Sequence, residues 1–496
     1  MSFSVVLAGI LGTLGAWTAF VLTRGTPGYR RLGFLFLAIQ VMVATSPMIL
    51  HAVAWESTAG KFGLTMMTQT GARVVAGSSY GIFAGLLATG WIHGIVGASI
   101  VCLATFLGTT RIPTSVIDSG TLRFSPSRTW WSLRLPLARH WWITALLATA
   151  MLAATEMTIA DLYGLRTLAD EFYLLYAASP SSGSIIRTCI LPSIFLIGGI
   201  SWWFVSRRRF LALGRSDSDH MEEGSVPETS QKNLLTAALL ALTLMTLSAF
   251  APVFSMMLKL GQHTEIISGQ IYQGWSLWLL VERLLEAPML FLDEYYWTAI
   301  LACFTGSISL IIAWPLASLS RAFPKHRIAI DLSTLAIATI PGPIIAMTLI
   351  HLFQLPIFGF AYAYELTIFP TSLALLARAV PISYWVLRTG YSAVPDHMIE
   401  SSTLQKNWIS RLLQSERHLV RASLIQAWLI STLYASGDLP ATLPILPPGM
   451  TTVGSRLFGL LHSGARFQEA ALAFWYLIGV TSIGLTLFVS ARRLPR

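Results

Sequence analysis

The sequence predicts an all-α polytopic membrane protein. Of its 496 residues, 54% are hydrophobic and only 11% are charged, whereas a soluble domain carries about 25% charged residues. The mean hydropathy is +0.64, and several apolar runs approach the roughly 20 residues that cross a bilayer as a helix. The net charge of +10 matches the excess of Lys and Arg in cytoplasmic loops. The expected surroundings are therefore a lipid bilayer, and no nucleic acid partner is expected.

The apolar runs predict about eleven transmembrane helices in two groups. Five runs in the first half lie near 3–23, 32–54, 84–108, 140–158 and 186–205. Six runs in the second half lie near 235–259, 295–320, 329–354, 366–391, 420–438 and 468–491. Between them the polar segment 206–234 is a predicted cytoplasmic linker. We therefore expect a first unit at 1–205 and a second unit at 235–496.

The distribution of Lys and Arg predicts the orientation in the membrane. Basic loops follow alternate spans and would all face the cytoplasm if the N-terminus is periplasmic; they lie at 24–31, 109–139, 206–209, 321–327 and 491–496. The acidic stretch 260–294 falls on the opposite side. The expected location is the inner membrane of a bacterium, with a cytoplasmic C-terminus.

Two similar hexapeptides indicate an internal duplication. IDSGTL occupies 117–122 and IESSTL occupies 399–404, an offset of 282 residues (399 − 117). The same offset pairs other residues of one type or one charge: Gly108 with Gly390, Arg139 with Arg421, and Glu156 with Asp438. An even number of predicted spans separates the two loops, so both face the cytoplasm. The repeat is therefore parallel rather than inverted.

Local chemistry predicts a short helix in each repeated loop. Pro113 and Pro395 stop the incoming membrane helix because proline cannot continue the hydrogen-bond ladder. Asp118 and Glu400 then fall in the first turn of the next helix, where an acid interacts favourably with the helix dipole. A cytoplasmic partner with two-fold symmetry could bind both short helices.

These loops resemble the coupling loops of fused double permeases from binding-protein-dependent ABC importers of the ferric-iron and thiamine type. The family's loop begins with an acid followed by two small residues and ends in Leu-Pro, which Leu135 and Pro136 supply in the first half. The segments 338–350 and 435–464 also resemble this family. The family's loop glycine is replaced by Phe124 and Lys406. The residues that match the coupling triplet are Asp118, Ser119 and Gly120, and Glu400, Ser401 and Ser402.

The resemblance implies two type I permease units that form a pore for ATP-driven uptake of a small solute. A separate cytoplasmic ATPase dimer would hydrolyse ATP, since the chain has no GxxxxGK[ST] phosphate-binding loop. A periplasmic solute-binding protein would deliver the solute, with ferric iron first and thiamine or another small solute as the alternative. The chain itself is expected to be no enzyme, with no catalytic residue and no cofactor.

Two other functions stay open. The first is a secondary transporter driven by an ion gradient, which needs ionisable residues inside the membrane; the predicted helix centres carry few of them. The second is a membrane sensor or scaffold without transport, which the missing loop glycines favour. If no ATPase copurifies with the chain and Glu400→Arg leaves uptake unchanged, the importer interpretation is wrong.

Two matched acids are candidates for the pore or its gate. Glu156 and Asp438 lie at the outer ends of equivalent predicted helices, with Thr158 and Thr442 just beyond them. An acid at membrane depth points to function. An equally supported interpretation is a carboxylate at a helix end that binds neighbouring backbone. The scattered histidines show no spacing that predicts a metal site.

Overall fold

The computed structural model is almost entirely helical. It describes residues 1–59, 79–112, 116–117, 126–165, 167, 183, 190, 193–194, 197–201, 230–267, 270–395, 398, 407–463 and 467–492. Contacts between residues divide the chain into two compact units. Unit one comprises Met1–Ala44, His51–Leu165 and Trp202–Leu280, and unit two comprises Thr45–Leu50, Arg166–Ser201 and Val281–Arg496.

The first part of the chain contains helices of very different length. They are α1 Ser2–Thr23, α2 Pro27–Thr45, α3 Met48–Ala59, α4 Ser79–Thr110, α5 Pro126–Thr129, α6 Leu135–Leu137, α7 Arg139–Thr155, α8 Thr158–Leu162, α9 Gln231–Met245 and α10 Ala251–Gly261. A π-helical turn at Trp130–Arg134 joins α5 to α6, and another at Thr246–Phe250 joins α9 to α10.

A β-hairpin precedes the remaining helices. Its strands are β1 Gln262–Ile267 and β2 Gln270–Trp275. The helices are α11 Leu277–Leu290, α12 Leu292–Ala322, α13 Pro324–Thr339, α14 Gly342–Phe353, α15 Phe360–Leu366, α16 Phe369–Ser392, α17 Trp408–Arg411, α18 Arg417–Leu419, α19 Arg421–Gly437, α20 Leu439–Thr442, α21 Val453–Ser463 and α22 Gln468–Arg492. A π-helical turn at Leu412–Glu416 joins α17 to α18.

Glycines let the helices of unit one approach closely. A Cβ atom at Gly12 of α1 would lie 2.6 Å from the Val101 Cβ and 2.7 Å from the Ala98 carbonyl oxygen of α4. Small residues at such crossings are typical of membrane helices, where backbone packing replaces the hydrophobic effect. The indole nitrogen of Trp142 on α7 also donates to the Thr13 hydroxyl at 2.9 Å. The three helices α1, α4 and α7 therefore form the core of unit one.

Replacing Gly12 by Leu should destabilise the protein by about 1–3 kcal/mol, because the new side chain has no space against α4. Gly479 on α22 is a matched control, since nothing lies within 4 Å of a Cβ built there. Thermal unfolding of the purified protein in detergent should show a clear loss for Gly12→Leu and little change for Gly479→Leu. Equal losses would show that the α1–α4 contact is looser than described.

Unit two has an equivalent core of three helices. The hydroxyls of Ser309 on α12 and Ser383 on α16 lie 2.7 Å apart, and Trp428 on α19 donates to the Ser307 hydroxyl at 3.1 Å. Ala313, Ala317, Tyr384, Leu387 and Ala427 are fully buried between these helices. Small and polar side chains thus hold α12, α16 and α19 together.

The same 282-residue offset relates the bounds of the described helices. Helix α4 ends at Thr110 and α16 ends at Ser392 (392 − 110). The starts and ends of α5, its π-helical turn, α6 and α7 differ by 282 from those of α17, its π-helical turn, α18 and α19. Gly108 and Trp141 are neighbours, as are Gly390 and Ser423, in positions that also differ by 282. The offset therefore extends from the sequence into local structure and packing.

Proline breaks two of the predicted spans. Helices α2 and α3 meet at an angle of 105° beside Pro47, and α13 and α14 meet at 92° beside Pro341. Proline lacks the amide hydrogen and disfavours helical backbone in the preceding residue. A third bent pair, α15 and α16, meets at 83°. The predicted straight spans 32–54 and 329–354 are therefore broken helices.

The described part of the chain is an α-helical membrane protein with 5 helices long and apolar enough to span a bilayer, or up to 8 if each bent pair forms one span. The count of about eleven stays a prediction. Helices α7 and α19 have 17 residues each, near the lower limit of about 17 for a span. Most of the predicted run 186–205 lies outside the described residues.

The stretch 260–294 holds structure that composition did not reveal. It forms the end of α10, the antiparallel hairpin, α11 and the start of α12. The sequence between the strands is Ser268-Gly269, a dipeptide typical of turns. The residues 235–280 group with unit one, and the Leu234 side chain lies against Gly25. The predicted division at the linker 206–234 stays a prediction.

Candidate functional site

The ten predicted site residues divide into two groups. The coupling-loop residues Asp118, Ser119, Gly120, Glu400, Ser401 and Ser402 lie outside the described residues. The four candidates for the pore or gate, Glu156, Thr158, Asp438 and Thr442, are all described and all buried. For the coupling loops, the structure therefore describes only the segments that flank them.

A buried hydrogen-bond network closes the base of the second loop. Tyr391, near the end of α16, donates its hydroxyl proton to Glu416 Oε2 at 2.6 Å. Arg411 Nε donates to Glu416 Oε1 at 2.7 Å, and Trp314 on α12 donates to the Tyr391 hydroxyl oxygen at 3.1 Å. Because Tyr391 precedes the loop and Glu416 follows it, these bonds join the two ends of the segment that contains Glu400.

The base of the first loop is closed at equivalent positions by different chemistry. Arg134 Nη1 donates to the Thr109 carbonyl oxygen at 3.3 Å, and its guanidinium lies 4.5 Å from the Phe20 ring. Thr109 and Arg134 are each 282 residues before Tyr391 and Glu416 (391 − 109 and 416 − 134). The two ends of each loop are thus joined at equivalent positions. The buried charged residue there is a cation, Arg134, in the first loop and an anion, Glu416, in the second.

Two further arginines lie at this end of unit one. The guanidinium of Arg24 lies 4.0 Å from the Phe20 ring, and that of Arg111 lies 5.1 Å from the Trp141 ring. Burial lowers the pKa of both arginines. A guanidinium still keeps its proton at neutral pH, so both side chains are cations stacked on aromatic rings.

Glu156 binds the backbone at the start of α8. Its Oε1 accepts from the Thr158 amide at 2.7 Å, and its Oε2 accepts from the Ile159 amide at 3.0 Å. The first amides of a helix have no partner inside the helix. Glu156 supplies that partner, so its burial has a local structural cause. The described contacts of Glu156 match the interpretation of a carboxylate bound to neighbouring backbone.

His93 lies beside this carboxylate. Its Nε2 is 3.6 Å from Glu156 Oε2, and its Nδ1 is 2.8 Å from the Thr89 carbonyl oxygen. A carbonyl can only accept, so Nδ1 carries a proton. Nε2 then presents a proton to Glu156 only when the ring is cationic. His93 and Glu156 are 1% and 5% exposed, so the pair is shielded from water.

Asp438 has side-chain partners instead. Tyr434 donates its hydroxyl proton to Asp438 Oδ2 at 3.0 Å. Arg378 Nη1 donates to the Tyr434 hydroxyl at 3.0 Å and lies 4.0 Å from Asp438 Oδ1. Arg378 Nη2 also reaches the Ile340 carbonyl oxygen at 3.4 Å, at the break between α13 and α14. Thr442 Oγ1 donates to the Asp438 carbonyl oxygen at 2.8 Å. This cluster ties the α19–α20 junction to the broken helix.

A small cavity adjoins Asp438. Its lining includes the side chains of Thr298, Ser436, Asp438, Thr442 and Thr452. Its volume is about 10 Å³, which is room for about one water molecule. Any larger solute could pass here only if the walls moved apart.

A buried cluster on α13 and α16 was missed by the sequence analysis. Asp331 Oδ1 accepts from Arg388 Nε at 2.8 Å and from the Tyr384 hydroxyl at 2.6 Å. Arg327 Nε lies 4.0 Å from the other oxygen. The usable signal was an Asp within an apolar run, since an ionisable residue inside a membrane segment needs a partner.

No protein-family model matches the chain, and a comparison with curated proteins finds no significant match.

Proposed function

We propose that the chain is the permease subunit of a binding-protein-dependent ABC importer, with two parallel type I repeats that share one polypeptide. One observation carries the proposal: the 282-residue offset links both loops in sequence, in helix bounds and in the contacts that close their bases. A duplicated cytoplasmic loop held at its base suits a partner with two-fold symmetry. By the family resemblance of the loop sequences, that partner would be an ATPase dimer.

The contacts at the second loop suggest how force would pass into the membrane. Movement of the loop would be transmitted from Glu416 to Tyr391 on α16, and from Tyr391 to Trp314 on α12, through their hydrogen bonds. Both helices belong to the packed core of unit two. Closure of the ATPase on ATP would therefore move these helices as a rigid group, as in other domain rotations that couple a ligand to a distant site.

The Asp438 cluster is the proposed gate. It joins the end of α19 to the break after Ile340, and broken helices in transporters often mark the pathway. The adjoining cavity admits about one water, which suits a closed state. Ferric iron is the first choice of solute and thiamine or another small solute the alternative, by resemblance alone. A periplasmic binding protein would deliver it across the inner membrane of a bacterium.

Glu400→Arg tests the proposal, because reversing a charge at a docking contact costs several kcal/mol. We expect a loss of ATP-dependent uptake of about tenfold or more, and loss of the copurifying ATPase, with an unchanged amount of protein in the membrane. Glu365→Arg is the matched control, since Glu365 is an exposed acid on α15. Unchanged uptake by Glu400→Arg, with no ATPase recovered with the wild-type chain, would exclude the importer.

One observation favours a secondary transporter as the second candidate. His93 and Glu156 form a buried ionisable pair in unit one, as ion-coupled transport requires. The chain alone in proteoliposomes should then accumulate solute under an imposed ion gradient, and an ionophore should stop the uptake. The importer predicts no accumulation without its ATPase and ATP. Identifying the ligand of a copurifying binding protein would also name the solute.

A further inference from the structure

From Arg283 onward, helix α11 has a buried side that packs within unit two. Ala287 and Phe291, which directly follows the helix, are each 1% exposed. Trp475 on α22 donates its indole proton to the Leu284 carbonyl oxygen at 2.8 Å, and the Arg283 guanidinium lies 3.9 Å from the Phe467 ring. These contacts fix the rotation of α11 about its own axis.

A second side of α11 is apolar and exposed. Trp278 is 74% exposed, Leu285 is 69% exposed and Met289 is 81% exposed. Val281 belongs to the same stripe, because side chains three and four residues apart share a helix face. At 3.6 residues per turn, the stripe covers a sector of about 80° next to the buried side.

The acidic residues of α11 lie beyond this stripe. Glu282 and Glu286 are both exposed and stand four residues apart, so they share one face. The exposed surface of the helix therefore has one apolar side and a second side that carries both glutamates and, one turn after Glu286, exposed Leu290. A helix with segregated apolar and charged faces is typical of the boundary between membrane and water.

The exposed stripe joins the lipid-facing surface of a spanning helix. Leu292, at the first position of α12, is 58% exposed, and Tyr296 one turn later is 56% exposed. Exposed Phe304 and Ile311 follow along α12, one of the helices able to cross the membrane. The apolar surface therefore passes from α11 onto α12, and exposed Asp293 lies beside Leu292 in the first turn of α12.

Helix α12 is long enough by itself to cross the hydrocarbon core. Its 31 residues extend about 46 Å at 1.5 Å per residue, which exceeds the roughly 30 Å core by itself. We propose that α11 lies in the membrane interface, with Trp278, Leu285 and Met289 inserted among the lipids and the two glutamates turned toward water. Soluble surfaces rarely leave so large an apolar patch uncovered.

Spin-label accessibility tests this arrangement in the full chain in liposomes. In a background with Cys102, Cys189 and Cys303 replaced by Ala, single cysteines are introduced as Leu285→Cys, Met289→Cys and Glu286→Cys. Oxygen concentrates in lipid, whereas a nickel chelate stays in water. We expect the ratio of oxygen to nickel accessibility to be several-fold higher at 285 and 289 than at 286. Each variant is first required to keep the elution volume and helical circular dichroism of its background.

Two results would overturn the proposal. Low accessibility to both reagents at 285 and 289 would show that protein, such as a binding protein or a second copy, covers the stripe. Equal ratios at 285, 286 and 289 would also overturn it: low ratios would show that α11 stands in water, and high ratios that it lies within the hydrocarbon core.

Discussion

Replacing Glu416 by Ala is expected to destabilise the protein by about 3–5 kcal/mol, the usual cost of breaking one partner out of a buried ion pair. The carboxylate accepts from both Arg411 Nε and the Tyr391 hydroxyl, and Glu416 is 1% exposed while Arg411 is 7% exposed. The substitution leaves the guanidinium in a dry site without its carboxylate. Thermal unfolding in detergent should show a large drop in the midpoint.

Two variants make this prediction specific to the network. Glu365→Ala removes an exposed acid and should change stability by less than about 0.5 kcal/mol. Tyr391→Phe removes one hydroxyl that donates to Glu416 and should cost about 1–3 kcal/mol. A drop for Glu416→Ala no larger than that for Glu365→Ala would mean that the network does not hold the loop base.

Under the importer function proposed above, loss of this network should also disturb transport. Glu416 and Tyr391 join the two ends of the second loop, so their separation frees the loop from α16. With the importer assembled, Glu416→Ala should uncouple ATP hydrolysis from uptake even where the ATPase still binds. The first loop, closed by Arg134 and Thr109, provides the internal comparison. Arg134→Ala should weaken coupling from the other repeat.

The sequence predicted an α-helical membrane protein because long apolar runs are a local signal of spanning helices. The offset of 282 was visible in IDSGTL and IESSTL, and the bounds of α7 and α19 follow the same offset. Helix ends and breaks depend on nearby residues such as Pro47 and Pro341. Those prolines were present in the sequence, but the length and apolar composition of each run still predicted a single span.

The partners of buried charges could not be predicted in the same way. Asp331 meets Arg388 across 57 residues (388 − 331), and that distance in sequence carries no periodic signal. Glu156 and Asp438 occupy matched positions, yet one binds backbone amides and the other binds Tyr434. Local sequence fixes where a carboxylate lies on its own helix, but neighbouring helices decide what it contacts. Matched positions therefore lie at equivalent helix ends but have different hydrogen-bond partners.

Asp331→Ala is expected to cost about 3–5 kcal/mol, and a double-mutant cycle should show where that cost arises. Asp331 is 1% exposed, and its Oδ1 accepts from both Arg388 and Tyr384. Arg388→Met alone leaves the aspartate buried with a weaker set of partners. If the charge pair dominates, the double variant should be more stable than Asp331→Ala, because no unpaired charge is left inside.

The size of that recovery separates charge from packing. A coupling energy of about 0.5–3 kcal/mol between the two substitutions is expected for residues in direct contact. Strict additivity would mean that Asp331 acts through Tyr384 and through the shape of the site rather than through Arg388. Since the Arg388 side chain is 18% exposed, water screens part of its charge, and the coupling should fall toward the lower end of that range as salt is added. A buried pair sealed from solvent would show no such dependence, so the salt series also reports whether the α13–α16 contact opens to water.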